Sequence, residues 1–207
     1  AVCAGNVFVN NAQGLLVLNS SNVDICNNTF INSTASFGRN ERGDETDHFG
    51  WHIKTGPAVD ERFNHTFKNN LIYMEKEFFR PAMHAWQPAV MCQRLNKPQL
   101  ADMNNNLYLV EGTAPKASLI NWSPVSNDTC SVLISEPAAL TVLYPAFETG
   151  SMLLNEQSKS VFADFSGMDY KLLPSARKAV KPTLLNERTA KAMGTESAEI
   201  SYIGAYK

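Results

Sequence analysis

Short aliphatic runs separated by asparagine-rich polar stretches open the chain. Residues 6–11 read Asn-Val-Phe-Val-Asn-Asn and residues 28–33 read Asn-Thr-Phe-Ile-Asn-Ser, the same pattern moved by 22 residues. Two further aliphatic runs, residues 14–18 and 23–26, lie between the copies. Short apolar runs bounded by Asn, Ser and Gly are typical of β-strands and turns. A repeat of about 22 residues has room for three short strands and no helix.

Asparagine pairs extend the pattern at residues 27–28, 69–70 and 105–106. Asparagine tolerates the left-handed backbone conformation of a corner. Its side-chain amide both donates and accepts, so stacked copies would form a hydrogen-bonded ladder. The alternative is that these are ordinary turn residues, but an apolar residue follows each pair and favours the ladder. Those residues, which should occupy equivalent positions, are Phe30, Ile72 and Tyr108.

This repeat predicts an all-β fold, a parallel β-solenoid in which each turn of chain stacks on the last. Leucine-rich repeats have a similar period, but their spaced leucines are absent here. We expect a single domain over residues 1–207. Two long loop excursions, residues 34–62 and 74–99, should interrupt the regular coils.

Three short motifs resemble the right-handed parallel β-helix superfamily, which includes pectate-lyase-like, carbohydrate-active proteins. The first is the Asn-Asn-x-aromatic pattern itself. Residues 167–174, Gly-Met-Asp-Tyr-Lys-Leu-Leu-Pro, resemble the family's closing segment, and residues 202–206, Tyr-Ile-Gly-Ala-Tyr, resemble its usual ending. The Ser-Pro-Ala-Ile that normally follows the proline is replaced by Arg-Lys-Ala-Val at residues 177–180. The resemblance implies a right-handed parallel β-helix, but no substrate, because this scaffold carries lyases, hydrolases, epimerases and adhesins.

The first residues read as the end of a coil, since Cys3 falls one period before Ile25. We therefore expect the chain to be the C-terminal part of a longer β-helix, with an upstream β-helix segment in the same protein or in a separate chain. By the same register Cys3 should face the core and Cys26 should face away from it. Cys92 and Cys130 lie in irregular parts and could form a disulfide.

Composition narrows the function classes. Eighteen Lys and Arg balance 20 Asp and Glu, giving a net charge of −2, so no nucleic-acid partner is indicated. No apolar run approaches the length of a membrane-spanning helix. With the family resemblance, these features predict a secreted, periplasmic or cell-surface protein that acts on a polysaccharide or oligosaccharide.

Irregular segments separate the predicted coils. Residues 36–48 are polar and without period, which predicts a loop, whereas residues 51–55 alternate as a strand. Residues 78–88 are aromatic and contain two prolines, so they should not continue a central strand. Nearer the C-terminus, strands are predicted in residues 117–122, 131–134 and 138–143, and a short helix over 186–193.

The strongest functional signal is the concentration of chemistry-bearing residues in the two excursions. Together they carry three of the four histidines, with His65 just beyond the first excursion, two of the three tryptophans and several charged residues. Aromatic faces stack on sugar rings, and Arg or Lys pair with uronate carboxylates. The predicted catalytic residues are Asp47, His48, Asp60, Arg62 and His65. The predicted substrate-binding residues are Trp51, His52, Lys54, Arg80, His84 and Trp86.

Two enzymatic chemistries fit these residues. A glycoside hydrolase needs two carboxylates about 5 to 9.5 Å apart, and a polysaccharide lyase needs a base and a group that neutralises the uronate carboxylate. No cofactor or metal site is predicted, although Asp44, Glu45 and Asp47 could supply oxygen ligands to calcium. The main hypothesis is an extracytoplasmic hydrolase or lyase with a groove on the β-helix. The alternative is a non-catalytic adhesin or glycan-binding module.

Each candidate also has a purely structural interpretation. Asp60 could belong to a surface turn, His65 could cap the corner beside it, and His84 could be a packed core residue. Trp51 could face the core. The functional hypothesis therefore depends on whether these residues converge in one cleft.

Overall fold

A computed structural model describes residues 1–41, 56–177, 181–195 and 200–206. Its strands are three to five residues long because turns rich in Asn, Ser and Gly end each apolar run. In chain order they are β1 (Val2–Ala4), β2 (Val7–Val9), β3 (Leu15–Leu18), β4 (Asp24–Cys26), β5 (Thr29–Ile31), β6 (Ala35–Gly38), β7 (His65–Lys68), β8 (Leu71–Met74), β9 (Met83–Trp86), β10 (Leu100–Asn104), β11 (Leu107–Val110), β12 (Ile120–Trp122), β13 (Val132–Ile134), β14 (Met152–Leu154), β15 (Phe162–Asp164) and β16 (Asp169–Leu172).

Three sheets form the body of the protein. The first has the order β1-β4-β7-β10, the second β14-β11-β8-β5-β2 and the third β13-β12-β9-β6-β3. Every pair in the first two sheets is parallel, and the third sheet is parallel except for β12 and β13. Up to β12, consecutive strands of the chain enter the three sheets in turn.

The 22-residue repeat is confirmed as a structural unit. Strand β2 pairs with β5 so that Phe8 lies opposite Phe30, and their rings stack with centroids 4.9 Å apart. Phe30 in turn lies opposite Ile72, which lies opposite Tyr108. The three residues predicted to be equivalent therefore occupy one row of the second sheet and contribute to the same buried core.

The predicted asparagine ladder is also confirmed. Asn6 Nδ2 donates to Asn28 Oδ1 at 3.1 Å, Asn28 Nδ2 to Asn70 Oδ1 at 3.2 Å, and Asn70 Nδ2 to Asn106 Oδ1 at 3.1 Å. The last three asparagines are fully buried. Each buried amide is satisfied by its neighbours in the row, which removes the cost of burying a polar group.

The preceding asparagine of each pair forms the corner. Asn27, Asn69 and Asn105 have φ values of 54°, 56° and 57°, in the left-handed region that asparagine tolerates. Their amides donate to carbonyls of the returning C-terminal segment, namely those of Tyr202, Thr183 and Lys181. The corners therefore hold the end of the chain against the sheets.

The prediction of an all-β right-handed parallel β-helix is wrong. The fold is an α/β-like mixture with 15% helix and 31% strand. Beside the parallel sheets it contains the antiparallel pairs β12–β13 and β15–β16. The repeat was inferred from the first 33 residues, and the C-terminal part follows other local rules. Its helices are α1 (Pro137–Leu143), α2 (Pro174–Arg177) and α3 (Glu187–Ala192).

Local predictions failed where flanking residues mattered more than composition. Residues 138–143 form most of α1 and not a strand, because Pro137 at the first helical position starts a run of good helix formers. Residues 78–88 do contain a central strand, β9, because Pro81 and Pro88 lie outside it. Part of the predicted loop 36–48 belongs to β6. Strands β12 and β13 and helix α3 were predicted.

The C-terminal elements cover two of the three sheets. The β15–β16 hairpin packs Phe162, Tyr170 and Leu172 against the second sheet, together with Ile203 of the predicted closing motif. Helix α3 lies on the first sheet, where Arg188 pairs with Asp24. Among the described residues, no helix is long and apolar enough to cross a bilayer. Of the described candidate site residues, His84 and Trp86 lie on the third sheet and His65 lies on the first.

Asp24 fixes α3 in place. Burial alone would raise the pKa of this carboxyl, but hydrogen bonds from Arg188, Asn186 and Thr66 outweigh burial and lower it. The Arg188 Nε to Asp24 Oδ2 distance is 2.8 Å, and Thr66 Oγ1 donates to Asp24 Oδ1 at 2.8 Å. Asp24 is therefore an ionised, nearly buried anchor for the C-terminal helix.

Candidate functional site

The described parts of the two excursions pack against each other. Val59, in a 3₁₀ helix spanning Gly56–Glu61, forms a small buried cluster with Met91 and Leu95 of the second excursion. The buried Arg39 reinforces this contact: its Nε donates to Gln87 Oε1 at 2.6 Å, and a terminal nitrogen donates to Leu95 O at 3.1 Å. Sequence analysis missed Arg39, since it lies among the charged residues of a predicted loop.

Two predicted catalytic residues make structural contacts instead of lining a cleft. The exposed Asp60 carboxylate pairs with Arg94, which also pairs with Glu41. His65 is 2% exposed, and its Nδ1 accepts a hydrogen bond from Val23 N at 3.2 Å. Burial lowers the pKa of His65 to about 4, so the ring is neutral near pH 7. A substrate cannot reach this ring.

Arg62 is the third described catalytic candidate. It is half-buried, and its Nε is buried with no hydrogen-bond partner among the residues that the structure describes. Arg80, a predicted substrate-binding residue, is exposed, and its guanidinium lies 5.5 Å from the ring centroid of Phe79. Neither of these two arginines lines the cavities described below.

His84 and Trp86 project from β9 on the outer face of the third sheet. His84 lies between Ser36 and Asn121 in the strand register, and burial lowers its pKa. Trp86 lies over Gly38, where an added Cβ would be 2.4 Å from the indole Cε2. Glycine at this position is therefore required by the close approach of the tryptophan ring.

Five predicted site residues lie outside the described residues: Asp47, His48, Trp51, His52 and Lys54. The same holds for Asp44 and Glu45, the other proposed calcium ligands, and for the predicted strand at residues 51–55. Within the described ranges, no group of three or more His, Cys, Asp or Glu side chains is placed to hold a metal ion.

A cavity with a volume of about 940 Å³ lies beside the second excursion. Cys92 and Cys130, whose pairing the sequence left open, form a disulfide that joins the two walls of the cavity. Gln87, 7% exposed, donates to Cys92 Sγ at 3.3 Å and to Leu95 O at 2.8 Å, which fixes the loop behind the disulfide. The residues that line the cavity are Ala89, Cys92, Gln93, Asn96, Pro124, Val125, Ser126, Asn127, Asp128 and Tyr144.

One wall of the cavity is apolar and rigid. Tyr144, at the end of α1, packs against Trp122 with ring centroids 5.4 Å apart and stacks on Phe147 at 5.6 Å. Its hydroxyl donates to Pro124 O at 2.8 Å. The phenol ring is thereby held in one orientation by contacts on three sides, next to Pro124 and Val125.

The remaining wall carries four polar side chains that have no bonding partner among the other described residues. Gln93, Asn96, Ser126 and Asp128 make no side-chain hydrogen bond or ion pair with any other described residue. Asn127, in contrast, is occupied by Thr129 and Ser131. The first four side chains thus remain free to bind a polar ligand.

No family model, curated protein or solved structure matches this chain. The resemblance to pectate-lyase-like proteins therefore stays a prediction. None of the cavity-lining residues was a predicted site residue. The only sequence signal for the cavity was the cysteine pair, because the pairing brings residues 89–96 and 124–130 together.

Proposed function

We propose that this protein is a carbohydrate-binding protein that holds a saccharide in the cavity beside the Cys92–Cys130 disulfide. The observation that supports this proposal is the composition of the cavity walls. Free amide, hydroxyl and carboxylate groups stand opposite an apolar wall built on a fixed aromatic ring. The volume lies in the range of about 300–1,000 Å³ that is usual for small-ligand sites.

Saccharides have the matching chemistry. The C–H faces of a pyranose ring are apolar and pack on aromatic and proline rings, as Tyr144 and Pro124 would allow. Its hydroxyl groups donate and accept in equal measure, which suits the amides of Gln93 and Asn96 and the acceptor-only carboxylate of Asp128. A single carboxylate and no Lys or Arg in the lining favour a neutral saccharide over a polyuronate.

Binding is preferred here over hydrolysis. A glycoside hydrolase needs two carboxylates facing the scissile bond, and Asp128 is the one carboxylate among the described lining residues. The hydrolase and lyase hypotheses stay predictions, because five of their eleven candidate residues lie outside the described residues.

A binding measurement on matched variants tests the proposal. We expect soluble neutral oligosaccharides from a mixed panel, which also includes polyuronates, to bind the wild-type protein in isothermal titration calorimetry. Asn96→Ala should weaken binding about tenfold, since one to two hydrogen bonds are lost. Asn155→Ala, an exposed asparagine outside the cavity, is the matched control and should bind normally.

Two results would contradict the proposal. One is that no saccharide of the panel binds, and the other is that Asn96→Ala and Asn155→Ala behave alike. Following unsaturated products by absorbance and new reducing ends in the same samples separates a binder from an enzyme. Turnover that survives Asn96→Ala would place the chemistry elsewhere in the protein.

A further inference from the structure

Glu148 is a buried carboxyl behind the candidate cavity. It is 3% exposed and lies in the segment of residues 144–151 that follows α1. Its Oε1 accepts from Tyr108 Oη at 2.9 Å and from Asn106 Nδ2 at 3.3 Å, at the end of the asparagine ladder. Its Oε2 is buried and has no hydrogen-bond partner among the described residues. Because an unpaired buried charge is costly, this geometry favours the protonated carboxyl.

Glu148 forms no ion pair with any cation among the described residues. The titratable groups facing it are the Tyr108 hydroxyl and the Asp102 carboxylate, and Asp102 is itself paired with Lys68 at 2.9 Å. Helix α1, which packs over it, contains no ionisable residue. Burial raises the pKa of Glu148 to about 7, although the hydrogen bonds from Tyr108 and Asn106 oppose the increase.

The backbone around Glu148 is pinned to the end of β10. Glu148 N donates to Met103 O at 2.6 Å, Thr149 N donates to Asn104 Oδ1 at 2.9 Å, and Asn104 Nδ2 donates to Ala146 O at 2.8 Å. A second hollow of about 520 Å³ lies between α1 and this segment, and Glu148 lines it. Water from this hollow can solvate the buried Oε2 only if the segment moves.

Movement of this segment would reach the candidate cavity. Phe147, the residue before Glu148, stacks on Tyr144 with ring centroids 5.6 Å apart and also contacts Trp122 at 5.6 Å. Tyr144 is the aromatic wall of the cavity. One peptide bond, from Glu148 to Phe147, and one ring stack, from Phe147 to Tyr144, therefore connect the carboxyl to the proposed saccharide site.

We propose that Glu148 is a proton-sensitive latch. Its protonated carboxyl keeps segment 144–151 closed on the sheet. Its ionisation opens the segment and weakens saccharide binding through Phe147 and Tyr144. The effect on binding rests on the proposed function, whereas the opening of the segment does not. Because the solvated carboxyl has an ordinary pKa and the closed one a raised pKa, opening becomes more favourable as the pH rises from about 4.5 to 7.

Hydrogen exchange tests the latch without any ligand. After correction for the intrinsic effect of pH, exchange of the Phe147, Glu148 and Ser151 amides should increase on the order of 50-fold between pH 5 and pH 8. The Leu71 amide, bonded to Asn28 O in the second sheet, is the internal reference and should not follow this change. In Glu148→Gln, which is neutral at every pH, the three amides should lose their pH dependence.

The possible outcomes are distinct. A flat wild-type profile relative to Leu71 overturns the latch, and it does so even if Glu148→Gln fails to fold. A pH dependence that persists unchanged in Glu148→Gln also overturns it. If exchange behaves as expected, affinity for a saccharide that binds at pH 5 should fall at pH 8 in the wild type and stay constant in Glu148→Gln. Failure of all saccharides to bind at both pH values contradicts the proposed function and not the opening.

Discussion

Replacing Asn70 by alanine probes the asparagine ladder in the centre of the protein. The Asn70 side chain makes four hydrogen bonds. Its Oδ1 accepts from the backbone nitrogen and from Nδ2 of Asn28 at 3.0 and 3.2 Å, and its Nδ2 donates to Ile25 O and Asn106 Oδ1, each at 3.1 Å. All of these atoms are buried. Asn70→Ala leaves the Asn28 N–H without its acceptor and without access to water.

The expected loss of stability follows from these hydrogen bonds. An orphaned buried N–H costs about 1–3 kcal/mol, and each further lost bond costs about 0.5–1.5 kcal/mol net. Asn28 Nδ2 retains the carbonyls of Cys3 and Cys26, and Asn106 Oδ1 retains the backbone N–H at position 70, so these losses are partial. We therefore expect Asn70→Ala to lower the free energy of unfolding by about 3–5 kcal/mol.

Asn6→Ala is the matched control. Asn6 makes the same type of ladder bond to Asn28 Oδ1, at 3.1 Å, but the residue is exposed. Water replaces the lost partner, so the expected cost is below about 1 kcal/mol. Urea unfolding followed by circular dichroism measures both variants. Equal losses for the two variants, or a loss below 1 kcal/mol for Asn70→Ala, would refute the explanation of the ladder by buried hydrogen bonds.

Three other predictions follow from the same contacts. Arg188→Ala should lower the free energy of unfolding by about 1–3 kcal/mol at pH 7, because nearly buried Asp24 loses its cation. This difference from the wild type should shrink as the pH falls below 3.8 and Asp24 becomes protonated. Between pH 6.5 and pH 4 the wild type should lose up to about 3 kcal/mol more than His65→Gln in parallel acid titrations, because the unfolded chain takes up a proton that buried, neutral His65 resists. The double variant Cys92→Ser, Cys130→Ser should lose about 4 kcal/mol in thermal unfolding, given the 38-residue separation; unchanged stability would contradict it.

The amino-acid sequence was sufficient wherever the determining contacts recur along the chain. The repeat of residues 6–11 in residues 28–33 fixes which strands pair and places Phe30, Ile72 and Tyr108 in one row. The left-handed corners and the amide ladder follow from asparagine chemistry alone. The register also predicted the opposite faces of Cys3, which packs on the core, and Cys26, which packs under α3.

The arrangement of the candidate site residues could not be predicted from the sequence in this way. The histidines, tryptophans and arginines of the two excursions are close in the chain, but in the described structure they point to different places. His65 is buried and accepts a hydrogen bond from the Val23 backbone. Asp60 lies in a surface ion pair, and Arg80 lies against Phe79. Residue type and proximity in sequence do not fix the direction of a side chain on an irregular loop.

By itself the sequence determined the pairing of strands, because a repeated pattern of apolar residues and asparagines carries its own register. Only the tertiary structure decided where helices replace strands in the C-terminal part and where a cavity opens. The cavity wall formed by Tyr144 depends on contacts with Trp122, Phe147 and Pro124, which are close in space through the docking of α1. Such contacts do not recur at a fixed spacing along the chain, so no local sequence pattern predicts them.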